Sequence, residues 1–156
     1  MPSPTLYFED FHPGRIFDLG PKTAQADEII EFAQEFDPQP MHLSEKAGAA
    51  SILGGLSASG WHTSAMFMRM MIESYLLTSA SEGAPGIDVM EWKKPALAGD
   101  TLSGRSIVEA ARPLRSRPQI GIVNFRHELE NQRGETVLMS KNAIMFRRRT
   151  VEGEAA

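Results

Sequence analysis

The stretch from residue 60 to 77 most constrains the fold. Trp61, Ala65, Met66, Phe67, Met68, Met70, Met71, Ile72, Tyr75, Leu76 and Leu77 spread apolar surface around most of one helical circumference. A helix of that kind is buried on several sides, so something must wrap it. The wrapping material lies downstream. Gly83 and Pro85 end the helical run, and β-type segments follow at residues 87–92, 101–110, 119–129 and 136–146. Alternation is clearest at Gly121, Val123, Phe125, His127 and Leu129. Turn-forming stretches at 95–100, 112–118 and 131–134 separate the segments and predict a consecutive antiparallel meander. A further strand near residues 15–19 brings the sheet to about five strands, a common size.

Two shorter helices precede the long one. Ile29, Phe32, Ala33 and Phe36 recur at helical spacing, with Thr23 available as a cap and Asp27 and Glu28 near the positive end. Ser44 caps a brief second piece through Ala50, which Gly48 weakens and Gly54-Gly55 stops. Ser57 or Ser59 introduces the third.

A chain of 156 residues with 42% hydrophobic content is expected to build one core, giving a single domain over residues 1–150 and a frayed tail at 151–156. Its net charge of −4 offers no footprint for nucleic acid. The absence of cysteine removes disulfides, thiolate catalysis and cysteine-ligated metal. The N-terminus has neither a basic start nor a long apolar stretch, and the greasiest region, 65–77, is broken by Arg69 and Glu73. A cytoplasmic protein that does not enter membranes is the expectation. No histidine–carboxylate spacing matches a metal-binding helix, so no metal is expected.

The chemistry concentrates in Asp37-Pro38-Gln39-Pro40-Met41-His42. Each proline fixes φ and pushes its predecessor toward extended geometry, so the helix ending at Phe36 cannot continue. A carboxylate and an imidazole on so stiff a loop suit proton transfer at one reacting centre. The bland alternative has Asp37 capping a turn and His42 bonding backbone.

That loop and its surroundings resemble the MaoC-like dehydratases, also called R-specific enoyl-CoA hydratases, which have the hot-dog fold. Their signature is Asp, one residue, Asn-Pro, one residue and His after a helix; here Gln39 stands at the Asn position. Ser59-Gly60-Trp61 falls at the family's distance after His42, and Pro95-Ala96-Leu97-Ala98-Gly99-Asp100-Thr101-Leu102 is similar to its turn between two strands. Where some hydratases carry a serine on the central helix, this register puts Met68. The resemblance covers most of the chain. It implies an α+β hot-dog domain whose antiparallel sheet wraps a central helix. It also implies a hydro-lyase interconverting enoyl-CoA and 3-hydroxyacyl-CoA, with CoA as part of the substrate, no other cofactor, and a homodimer or larger assembly joined at sheet edges. Two rivals remain: a hot-dog thioesterase, and a non-catalytic acyl-binding or partner subunit.

In that reading Asp37 and His42 form the acid–base dyad, and the N–H of Gly60, at a helix start, receives the thioester oxygen. Packing clearance is the competing role for Gly60. Gln39, Ser59 and Trp61, which flank the dyad and helix start, are expected to bind substrate, as is His62 in the first helical turn, which is also the rival imidazole. Met66, with Met70, Met71 and Phe67, either lines an acyl tunnel or is core. Arg112 and Arg115, with Arg117, either hold the CoA phosphates or form a solvated loop.

Overall fold

A computed structural model describes residues 3–149. The tail expected at 151–156 lies outside the described residues. A short 3₁₀ turn, Phe8–Asp10, leads into β1 (Ile16–Thr23), α1 (Ala26–Phe36), a second 3₁₀ turn (Pro40–His42), α2 (Glu45–Ala49) and α3 (Gly60–Met71). A wider π-helical turn, Ile72–Leu76, prolongs α3, and then β2 (Ile87–Trp92), β3 (Thr101–Pro113), β4 (Ile120–Glu130) and β5 (Thr136–Arg147) complete the chain. Among these helices none is long and apolar enough to cross a membrane.

Local chemistry accounts for most of the boundaries. Ser44 caps α2 by accepting from the Ala47 N–H at 3.1 Å. Ser59, rather than Ser57, caps α3, its hydroxyl accepting from the Trp61 N–H. Thr23 does not cap α1 as expected: it is claimed by β1, paired with Thr101, and Gln25 takes the cap position without a side-chain bond.

The five strands form one antiparallel sheet in the order β1-β3-β4-β5-β2. The expected meander therefore holds for β3, β4 and β5 alone. β2 lies beyond β5, while β1 occupies the edge of β3 that a β2–β3 hairpin would need. The cause is the connection at residues 93–100. Lys93 N–H still donates to Val137 O at 2.8 Å, but the chain then crosses to the loop before α3. There the Ala58 N–H donates to Ala96 O at 2.8 Å and the Ala98 N–H to Leu56 O at 2.9 Å.

The sheet covers one side of α3, burying Thr63, Met66, Phe67, Met70 and Met71. Burial is one-sided rather than general, since Trp61 and Met68 remain 63% and 45% exposed. Beneath the helix, Phe11, Phe17, Tyr75, Phe125 and Phe146 pack together, with Phe11 stacked on Phe146 at 4.0 Å. Fully burying each such ring is worth about 2–3 kcal/mol. One polar chain threads this core. The Tyr75 hydroxyl meets Ser106 Oγ at 3.0 Å, Ser106 Oγ meets His127 Nδ1 at 2.8 Å, and His127 Nε2 meets Asn142 Oδ1 at 2.7 Å. Helix and sheet together make the α+β hot-dog architecture that the resemblance implied.

Candidate active site

The prolines act as their chemistry requires. Asp37 ends α1 by leaving the helical region, φ −152° and ψ 69°, while its N–H still reaches back to Ala33 O at 2.9 Å. Pro40 then opens the 3₁₀ turn that carries His42, whose N–H donates to Gln39 O at 2.9 Å. The two turns fold Asp37 and His42 onto each other, with carboxylate Oδ2 3.5 Å from imidazole Nε2.

Each partner is held from behind. His42 is buried, and its Nδ1 lies 2.7 Å from Ser57 O. A carbonyl only accepts, so Nδ1 carries the proton and Nε2 is the nitrogen left for exchange beside Asp37. Asp37 is better exposed and receives the Gln39 amide at 2.7 Å. The Ser59 hydroxyl, then the Gln39 amide, hold its carboxyl below the ordinary value, against a smaller upward push from burial. Asp37 is thus an anion poised next to an oriented imidazole. That pairing can take a proton from one oxygen and deliver one to a neighbouring carbon.

A cavity of about 290 Å³ opens against His42, walled by Ala58, Gly60, Trp92, Lys93 and Lys94 among others. Asp37 reaches His42 from the side and is not part of that wall. Gly60 has a steric duty here, because a Cβ added to it would sit 2.5 Å from the Trp92 ring. The indole rests on the helix start, and its Nε1–H donates to Ser64 Oγ at 3.1 Å. Three larger depressions, of about 460, 470 and 330 Å³, lie beside Arg105 and Glu128, beside Arg126 and Glu135, and beside Arg117 and Arg147. Of the residues singled out from sequence for the site they contain only Arg117, in the third.

The structure gathers Asp37, Gln39, His42, Ser59 and Gly60 in one place, while Trp61 lies outside the cavity lining, edge-on to Trp92 at 5.3 Å. Four expected residues are not brought there. His62 stacks on Phe32 at 4.8 Å and lines a separate depression with Glu28, Glu35 and Phe36. Burial pushes its pKa down, and its Nδ1 has no partner among the described residues. Met66 is 2% exposed in the core. Arg112 lies near the far end of β3, roughly 36 Å of strand from Thr101, and Arg115 follows beyond that end. Met68 faces outward, about 12 Å along the helix axis from Gly60.

Sequence reasoning missed Ser57, Trp92, Lys93 and Lys94. The available signal was position: all three of the latter sit directly before the 95–100 connection, at the end of a strand. Among the described residues no cluster of three or more histidine and acidic side chains is arranged to hold a metal ion.

Known proteins share this fold. A crystallographic MaoC-like dehydratase from Rhodospirillum rubrum is 40% identical over 94% of this chain and 99% of its own, with a TM-score of 0.85. The uncharacterized protein YdeM of Bacillus subtilis is 27% identical over 143 residues, 92% of this chain and all of the relative. R-hydratase PhaJ1 from Pseudomonas aeruginosa shares the fold at 18% identity, covering 97% of this chain and 94% of its own with a TM-score of 0.74. The model of the MaoC-like domain matches residues 10–129, which span β1, the dyad loop, α3 and nearly all of β4. With the Asp37–His42 loop, the central helix and every strand but β5 falling inside or almost inside that match, the chain belongs to the MaoC-like domain family.

Proposed function

We propose that this chain is a hydro-lyase that adds water to, or removes it from, an acyl-CoA thioester, interconverting 2-enoyl-CoA and 3-hydroxyacyl-CoA. The observation that carries the reading is the approach of Asp37 Oδ2 to 3.5 Å from His42 Nε2, with His42 itself in the wall of a cavity. One water oxygen can lie within about 3 Å of both groups, so the pair can remove its proton as it attacks the β-carbon and return a proton to the α-carbon. Dehydration reverses the path. Negative charge that builds on the thioester oxygen is met by the positive end of α3, where Gly60 leads the helix.

The assembly in this proposal is a homodimer joined edge to edge. β1 and β2 are the sheet's outer strands, and Ile87 and Trp92 of β2 are 56% and 44% exposed.

The test is turnover of a trans-2-enoyl-CoA by Asp37→Asn and His42→Ala. Each variant is expected to lose about a hundredfold or more in kcat while keeping the wild-type melting transition, the scale of lost general acid–base catalysis. Near-normal turnover in either folded variant removes the dyad. Thiol release from a saturated acyl-CoA would instead identify a thioesterase.

A further inference from the structure

The cavity beside His42 has an unusual charge for this chain. The protein carries a net charge of −4, yet no carboxylate is among the residues lining this cavity, and its charged side chains apart from the imidazole are Lys93 and Lys94. The same two lysines line the neighbouring depression of about 470 Å³, with Arg126, Met139 and two carboxylates, Glu128 and Glu135. They therefore form a ridge between two hollows, one walled by His42 and free of carboxylates, the other open on the sheet and of mixed charge. The arginines expected from sequence to take phosphate are at the opposite end of β3.

Resting on the proposed thioester chemistry, we infer that Lys93 and Lys94 bind the phosphate of the substrate's carrier and so decide which thioesters this enzyme accepts. The present partners of both lysines are exchangeable. Lys93 pairs with Glu91 and Lys94 with Glu135 at 2.8 Å, but the two ammonium side chains are 47% and 54% exposed. Ion pairs that open to water hold weakly, and a phosphate competes for them through charge-assisted hydrogen bonds. With phosphate on the ridge, the pantetheine arm runs past Trp92 to the reacting carbons at His42. Any nucleotide lies in the second hollow. The recognised chemistry is shared by the pyrophosphate of CoA and by the single phosphodiester of a carrier protein's phosphopantetheine.

Two readouts test this. Of the chain's two tryptophans, Trp92 lines the cavity and Trp61 packs edge-on against it, so their fluorescence reports occupancy without turnover. In a titration with free CoA, Lys93→Ala/Lys94→Ala is expected to raise Kd about tenfold or more, with a weaker salt dependence than wild type. In turnover, kcat/KM is compared for an enoyl-CoA, the same enoyl group on 4′-phosphopantetheine, and on pantetheine without phosphate. The double variant should lose about tenfold on the phosphorylated substrates and little on the bare pantetheine ester. Equal loss on CoA and phosphopantetheine esters assigns the ridge to the phosphate they share; loss on CoA alone assigns it to the pyrophosphate.

An unchanged Kd for CoA overturns the inference. So does an equal loss on all three esters, or a loss that appears in Arg112→Ala/Arg115→Ala instead. If wild type turns over no enoyl ester but its CoA binding still depends on the two lysines, the hydro-lyase reading fails and the ridge stands.

Discussion

His127 gives the sharpest quantitative expectation. Its imidazole is fully buried between Phe67 and Phe125, and its ring nitrogens meet a hydroxyl and an amide oxygen rather than a carboxylate. The directions are consistent with a neutral ring: Nε2–H donates to Asn142 Oδ1, and Nδ1 accepts from Ser106, whose oxygen in turn accepts from Tyr75. Burial drives its pKa from 6.5 down to about 4, with a smaller opposing effect of Asn142. In the unfolded chain the ring titrates near 6.5. The stability it contributes is thus fully present above pH 6.5 and is lost as pH falls toward 4, because the unfolded state takes up the proton first. The whole window is worth about 3 kcal/mol, and about 2 kcal/mol of that falls between pH 7 and pH 5. The assay is urea denaturation at several pH values for wild type and His127→Gln, which keeps a neutral polar side chain. Carboxylates elsewhere contribute equally to both proteins, so the difference in slope isolates this ring. Wild type should lose about 2 kcal/mol more than the variant from pH 7 to pH 5. Parallel slopes would refute the account of His127 as a neutral core group.

Two further expectations concern the site. Ser59→Ala removes the leading influence that keeps the Asp37 carboxyl acidic, so the acid limb of the kcat/KM profile should move to higher pH; an unmoved limb detaches Ser59 from Asp37. Gly60→Ala drives a methyl into the Trp92 indole and should cost about 1–3 kcal/mol by chemical denaturation, with most of the loss recovered in a Trp92→Ala background. Full additivity of the two changes would show that Gly60 gives the indole no clearance.

The elements of the fold were largely legible because they follow local rules. The alternation through Val123, Phe125, His127 and Leu129 located β4, and the apolar spacing from Gly60 located α3. Strand order was not legible. β2 passes over β3 for the far edge of β5 because residues 93–100 bond to the loop before α3, a contact between distant segments that no turn residue announces. The candidate site divides in the same way. Asp37 and His42 stand out through flanking prolines that dictate backbone geometry within a few residues. Lys93 and Lys94 are two unremarkable cations until the fold sets them beside His42, whereas the arginines at 112–117 are conspicuous in sequence and distant in space. The two hydrogen-bond partners of His127 come from two other strands, and Tyr75 behind Ser106 from the turn after α3, so its neutrality was equally hidden.

The small ladder that ties residues 56–58 to 96–98 has a dynamic consequence. Ser57 supplies the carbonyl that orients His42, its own N–H donates to Met41 O at 3.3 Å, and its neighbours Leu56 and Ala58 are bonded across to Ala98 and Ala96. Moving any one of these three loops breaks bonds in the other two, so they open as a unit rather than fray separately. The amides of Ala58 and Ala98, although outside the named strands, are then among the slower-exchanging protons of the molecule. In the proposed reaction the imidazole would meet its substrate already aimed, with little reorganisation left to make on the way to the transition state.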